Sequence, residues 1–194
     1  MKIRLNGTHA QIGFALTAAG WAYTHLRVAA LRRRLRTDAL TGLANRLALE
    51  QAARKNTGDS AALFMLDLNE FKAINDTFGH RYGDQVLATV ARRLRRLQGP
   101  RQLAVRLSGD EFAFWCGKPR STGELCQLRQ QLHAAVARPM TIDGYTITVT
   151  ASIGSAVSAG PAAIEELLGR ADADMYSDKR GTASGRPRRQ KATA

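Results

Sequence analysis

Arg106-Leu107-Ser108-Gly109-Asp110-Glu111-Phe112 is the stretch on which the reading of this chain turns. Two adjacent carboxylates follow a small residue and a glycine, flanked by Leu103 and Val105 on one side and Phe112, Phe114 and Cys116 on the other. Apolar alternation on both sides of a glycine-containing turn predicts two strands joined as a hairpin, with Gly109 free to adopt positive φ. Asp110 and Glu111 then stand at its tip. Ser-Gly-Asp is ordinary solvated turn chemistry, and it is also what a divalent-metal site needs if a phosphate is to approach the backbone. The rest of the chain decides, by supplying a second carboxylate, a phosphate cradle and a base-recognition surface or failing to.

The second carboxylate lies upstream. Ala61 to Leu68 is an apolar run interrupted by Asp67 alone, short enough to be a buried strand, and it places Asp67 at the strand's carboxyl end, where α/β sheets gather ligands. An aspartate at such a junction also serves simply as a helix cap. Phe71-Lys72-Ala73-Ile74 is expected to be a short helical turn whose unpaired N–H groups, with Lys72, suit a phosphate. Asn75 to His80 reads as a loop, and Gly83-Asp84 as the approach to a helix with Val86, Leu87, Val90, Leu94 and Leu97 on one face and four arginines on the other. Downstream come a helix on Leu125, Leu128, Leu132 and Val136, a strand from Tyr145 running on through Gly154, and a helix on Ile164, Leu167, Leu168, Ala171 and Met175. This order predicts an α/β fold: a mixed sheet with helices packed on it.

The chain has 194 residues and a formal charge of +13, with arginine runs at 32–36, 92–96 and in the tail. Such charge suits nucleic acid or an anionic membrane. The runs are dispersed, and no aromatic residues interleave with them as a single-strand-binding platform requires, so solvated helix faces and no nucleic-acid partner are expected. Cys116 and Cys126 have neither metal-ligand spacing nor the density of a disulfide framework, which points to a reducing cytoplasm.

From Leu5 to Leu26 there is no Asp, Glu, Lys or Arg, yet Asn6, Thr8, His9, Gln11, Thr17, Thr24 and His25 make the segment a poor membrane span. Apolar or small residues at 12, 16, 19, 23, 26 and 30 follow the period of a helix packing on a partner helix. A packing or dimerising helix, a marginal anchor and a signal peptide all remain open. In the anchor reading Arg27 and Arg32 to Arg36 outnumber Lys2 and Arg4, which holds the remainder of the chain on the inner face of the membrane. Residues 1–36 are therefore set apart as a leader, 37–180 as one domain, and 181–194 as a basic disordered tail. Asn45 is expected to cap a helix from Arg46 to about Lys55.

Four segments in fixed order, Asp38-x-Leu-Thr-Gly-Leu-x-Asn-Arg46, Leu66-Asp-Leu-Asn-x-Phe-Lys-x-Ile-Asn-Asp-Thr-Phe-Gly-His80 with Gly83-Asp84, Arg106 to Phe112, and Ala171-Asp-x-x-Met-Tyr-x-x-Lys179, resemble the GGDEF-domain diguanylate cyclases. The resemblance implies a fold akin to nucleotide cyclases and polymerase palms, and condensation of two GTP molecules into cyclic di-GMP and pyrophosphate by a homodimer using Mg²⁺, or Mn²⁺ in its place. It implies that Asp67, the Leu68 carbonyl and Asp110 hold metal with Glu111 assisting, that Asp110 has the general-base role, and that Lys72 steadies phosphoryl charge. By the same resemblance the backbone around Phe71 and Gly109 meets phosphate, Asn75 and Asp84 read guanine, and His80 and Lys179 make further substrate contacts.

The chain departs from the family pattern at three places. Ser108 replaces the first glycine of the motif. Gly99 and Gln102 stand where an inhibitory product site would need Arg and Asp. Thr182-Ala183-Ser184 replaces the usual Gly-Arg-Asn after the last segment. These departures leave open a degenerate module that binds GTP or a protein partner without turnover.

Overall fold

The computed structural model describes residues 21, 23, 24, 27, 35–56, 60–119, 121–160 and 163–183, without the side chains of 178 and 180–183. The expectations for most of the leader and for the tail beyond Ala183 lie outside these residues. The chain divides into two compact units, Met1–Thr37 and Asp38–Ala194. In the first, residues 21, 23, 24 and 27 are helical, with the Arg27 guanidinium 5.4 Å from the centre of the Tyr23 ring one helical turn away. Among the described residues no helix is long and apolar enough to cross a membrane.

The second unit runs α1 (Arg46–Lys55), β1 (Ala61–Leu68), α2 (Phe71–Phe78), α3 (His80–Leu97), β2 (Leu103–Ser108), β3 (Glu111–Gly117), α4 (Thr122–Val136), β4 (Met140–Ile142), β5 (Tyr145–Ile147), β6 (Ala151–Ser158) and α5 (Ile164–Ala183). Four strands form one sheet in the order β2-β3-β1-β6, each antiparallel to its neighbour, and β4 and β5 make a separate ribbon. Because β3 lies between them, β1 and β2 point the same way, a β-α-β crossover with a third strand slipped inside.

The alternation of side chains along a strand sorts the core into two layers. Phe64, Leu66, Phe112, Phe114 and Ile153 meet α2, α3 and α4 on one face. Leu63, Met65, Ala113, Trp115 and Ala156 meet α1 and α5 on the other. Asp67 shares the parity of Leu63 and Met65, so the period that builds the core also turns it toward the side covered by α5. Gly154 lets α5 lie close against β6, since a Cβ there would fall 2.0 Å from the Ala171 carbonyl oxygen.

The helix carrying the apolar residues Val86 to Leu97 is present, and it starts at His80, earlier than its sequence signals suggest. Residues 75–78, expected as a loop, continue α2, and the break falls at Gly79, whose φ of 83° ends one helix and admits the next. The strand expected from Tyr145 through Gly154 is cut at residues 148–150 and its halves join different sheets. Asn69 holds that cut open, with its N–H donating to the Thr150 carbonyl at 2.9 Å and its amide to Thr150 Oγ1 at 2.9 Å. The last helix runs past Gly181 to Ala183.

The arginines of α3 are not all solvated. Arg93 donates to the carbonyls of Ala135, Val136, Arg138 and Pro139, fastening the C-terminus of α4, and Arg95 donates to the Thr41 carbonyl. Strand β6 is an edge of the sheet, and side chains take its outward backbone groups. Arg129 donates to the Ile153 carbonyl, the Ser155 N–H donates to Asp174, and Arg170 donates to the Val157 carbonyl.

Candidate functional site

Strand register assembles the centre of the site. Asp67 near the end of β1 pairs with Glu111 at the start of β3, and the Leu68 N–H donates to the Asp110 carbonyl at 3.4 Å. The turn Gly109-Asp110 follows a one-residue slip between Arg106 and Ser108, with Gly109 at φ 45°. Arg106 secures this turn from behind. Its Nε and Nη2 donate to the Gly109 carbonyl at 3.0 and 2.8 Å, while Nη1 reaches Asp38 Oδ1 at 3.1 Å and Oδ2 at 3.2 Å. Burial pushes the Asp38 carboxyl up, and the hydrogen bonds from the Thr41 hydroxyl, the Thr41 N–H and Arg106 outweigh it, holding Asp38 below the usual carboxylate range. The first and third sequence motifs are thus two halves of one clamp.

On the far side of Asp67, α5 presents Lys179, whose Nζ lies 2.9 Å from Asp67 Oδ1. A cavity of about 750 Å³ opens here, lined by Asp67, Leu68, Asn69, Glu70, Lys179 and the Thr148–Thr150 break, with Phe78 on its wall. The Ser152 hydroxyl donates to Asn69 Oδ1, which fixes the amide that holds the break. This polar lining was not read from the sequence. Its signal is the Thr-Val-Thr-Ala-Ser run at 148–152, where a continuous buried strand would carry apolar residues.

A second group forms between α2 and α3. Asn75 is half-buried and Asp84 exposed. A Cβ on Gly83 would lie 2.0 Å from Asn75 Oδ1 and 3.1 Å from the Phe71 ring, so the glycine makes room for the amide. Phe71 is buried as the first residue of α2, Lys72 beside it is exposed, and His80 is exposed at the start of α3. The cavity lining contains Asp67, Leu68 and Lys179 but none of Lys72, Asn75, His80, Asp84, Asp110 or Glu111. Gly99 and Gln102 are engaged with one another, the glycine N–H donating to Gln102 Oε1 at 2.9 Å.

The donor set around Asp67, two carboxylates and a backbone carbonyl, is of the hard-oxygen kind that Mg²⁺ takes. Among the described residues no three His, Cys, Asp or Glu side chains converge on one point, so the fit rests on Asp67, the Leu68 carbonyl and Asp110.

Residues 35–184 match the family model described as "Diguanylate cyclase, GGDEF domain". The chain belongs to this family. It is 40% identical over 148 residues to diguanylate cyclase DgcN of Escherichia coli K12, covering 73% of this chain and 36% of that one. It is 34% identical over 158 residues to cyclic di-GMP phosphodiesterase NbdA of Pseudomonas aeruginosa, covering 78% of this chain and 20% of that one. The chain therefore spans well under half the length of these curated relatives. The crystal structure of the coiled coil and GGDEF domain of DgcB from Caulobacter crescentus, in complex with c-di-GMP, superposes with a TM-score of 0.74 at 29% identity, over 91% of this chain and 96% of that one.

Proposed function

We propose that this domain condenses two GTP molecules into cyclic di-GMP with release of pyrophosphate. The observation that carries the reading is the register that sets Asp67 beside the Asp110-Glu111 turn at one end of the sheet, next to a cavity that Asp67 and Lys179 line. Each 3′-hydroxyl must lose a proton as it attacks the α-phosphate of the opposite GTP, and negative charge grows on the departing pyrophosphate. Asp67, the Leu68 carbonyl and Asp110 would hold Mg²⁺, or Mn²⁺, with Glu111 assisting. An ion held there would lower the hydroxyl's pKa and neutralise the leaving group. Asp110 faces the hydroxyl that gives up its proton. Lys72, Lys179 and the free N–H groups at Phe71 receive the phosphates, while the Asn75 amide and Asp84 carboxylate complement the acceptor and donor edges of guanine and His80 contacts the nucleotide.

One domain binds one GTP, so the product requires two chains face to face. The leader's apolar spacing at residues 12, 16, 19, 23, 26 and 30, the period of a helix packing on a partner helix, supports this assembly. A tethered second domain acts at an effective concentration of about millimolar. A chain beginning at Arg36 is expected to lose at least about tenfold in specific activity at nanomolar concentration and to regain it when concentrated or fused to an unrelated dimeric coiled coil. Full, concentration-independent activity in that shortened chain would assign the leader to membrane tethering instead.

The decisive test incubates the purified chain with GTP and Mg²⁺ and measures cyclic di-GMP. The alternative, a module that binds GTP without turnover, is favoured by Ser108 and by the similarity to a protein named for phosphodiesterase activity. Saturable binding of a non-hydrolysable GTP analogue with no product would establish that alternative.

A further inference from the structure

We propose that Ser108 is a positioning residue for the Glu111 carboxylate. The inference rests on the cyclase reading above and concerns a residue at which this chain departs from the family's glycine. The Ser108 hydroxyl donates to Glu111 Oε2 at 2.9 Å. The fold makes this contact local, because the β2–β3 register sets Ser108 directly across from Glu111 on either side of the Gly109-Asp110 turn. Both ends of the contact stand on fixed backbone. Arg106 holds the Gly109 carbonyl and Asp38 holds Arg106, while Glu111 begins a strand hydrogen-bonded on both sides.

A glutamate side chain at a strand end has three rotatable bonds and loses entropy when a ligand orders it. With Oε2 engaged by the hydroxyl, Oε1 remains to face the side of the sheet it shares with Asp67. Hydroxyl and amide donors behind a ligating carboxylate are what usually fix its direction, and removing them weakens metal binding. Ser108 is exposed and Glu111 half-buried, so the contact contributes orientation and not core packing. The extra Cβ and hydroxyl at this position thereby supply a restraint on Glu111 that a glycine cannot.

The test compares the full chain with Ser108→Ala, Ser108→Gly and Ser108→Thr variants. Mn²⁺ is the probe, with free ion measured by electron paramagnetic resonance in the presence of a non-hydrolysable GTP analogue, and cyclic di-GMP formation is followed against Mg²⁺ concentration. Ser108→Ala and Ser108→Gly should weaken Mn²⁺ binding about tenfold, the lower end of what such supporting contacts contribute, and raise the Mg²⁺ needed for half-maximal rate by the same factor. Ser108→Thr should restore both, and analogue binding in EDTA should not change. In a Glu111→Gln background, Ser108→Ala should add nothing. Matching circular dichroism spectra and melting midpoints show that the variants fold. Mn²⁺ binding unchanged in Ser108→Ala, a Ser108→Thr variant as weak as Ser108→Ala, an additive effect in Glu111→Gln, or a parent chain that takes up no Mn²⁺ would each overturn the inference. A parent chain that binds Mn²⁺ and analogue but makes no cyclic di-GMP sinks the cyclase reading alone, and the Mn²⁺ series still reads the role of Ser108.

Discussion

Two hairpins in this chain turn on an aspartate beside a glycine, Gly109-Asp110 between β2 and β3 and Asp143-Gly144 between β4 and β5. Both use positive φ, 45° at Gly109 against 48° at Asp143 and 85° at Gly144. Their surroundings differ. The first tip is fastened by Arg106, Asp38 and Ser108, and β3 is buried between two strands. The second is a ribbon of three-residue strands whose Asp143 accepts one side-chain bond, from Gln85, and whose Tyr145 is exposed. Turn chemistry is shared; what distinguishes the candidate site is that its backbone turn and its Glu111 carboxylate are held and that Glu111 pairs with Asp67 at a second strand end.

The sharpest way to break this comparison is to neutralise each aspartate. Asp110→Asn keeps shape while removing the charge proposed to face metal, so cyclic di-GMP formation should fall by at least about 100-fold with the fold intact. Asp143→Asn should change the rate by less than about twofold. Equal effects in the two variants, read in one steady-state assay, would erase the distinction.

A substitution outside both hairpins separates base recognition from the metal end. Gly83→Ala drives a methyl into the Asn75 amide, which should cost about 2 kcal/mol of stability and raise KM for GTP more than it lowers kcat. An unchanged KM would detach Asn75 from guanine.

The clamp behind the first hairpin can be titrated. Because the Asp38 pKa is lowered on folding from its usual 3.8, its contribution is fully present above that value and is lost as pH falls through the lower folded value. Asp38→Asn should destabilise the domain by about 2 kcal/mol at neutral pH and flatten the acid side of the stability curve. Denaturant melts from about pH 6 to 2 check both.

The smallest effect belongs to α3, at a residue near the second hairpin. Tyr82, stacked on Phe78 at 4.6 Å and set near Asp143 and Tyr145, carries a buried hydroxyl with no hydrogen-bond partner among the described residues. Tyr82→Phe should leave activity unchanged and stabilise the domain by up to about 1 kcal/mol. Lost activity would give the Tyr82 hydroxyl a part in the site.

Periodicity carried much of this architecture openly. The Val86–Leu97 face, the β2–β3 alternation and the Ile164–Met175 face are repeated burial patterns, and the structure buries those residues or packs them against the core. The boundaries at Gly79 and at 148–150 were less legible, because they depend on one glycine's φ and on an asparagine about eighty residues away in sequence. The site was legible as residue types in order, and its couplings were not. Nothing local in Asp38 or Arg106 says that they pair, and in the sequence Ser108 is only a departure from glycine, with nothing to mark it as a donor to Glu111.

The side chains that occupy the outer edge of β6 have a consequence for how copies of this domain meet. An open edge is a template, and any identical strand that reaches it can zip on and propagate. With the Ile153 carbonyl, the Ser155 N–H and the Val157 carbonyl already committed to Arg129, Asp174 and Arg170, a colliding copy must first displace three bonds to start such a filament. Crowding many copies together therefore favours reversible encounter over fibre growth, which suits the face-to-face pairing proposed for this domain.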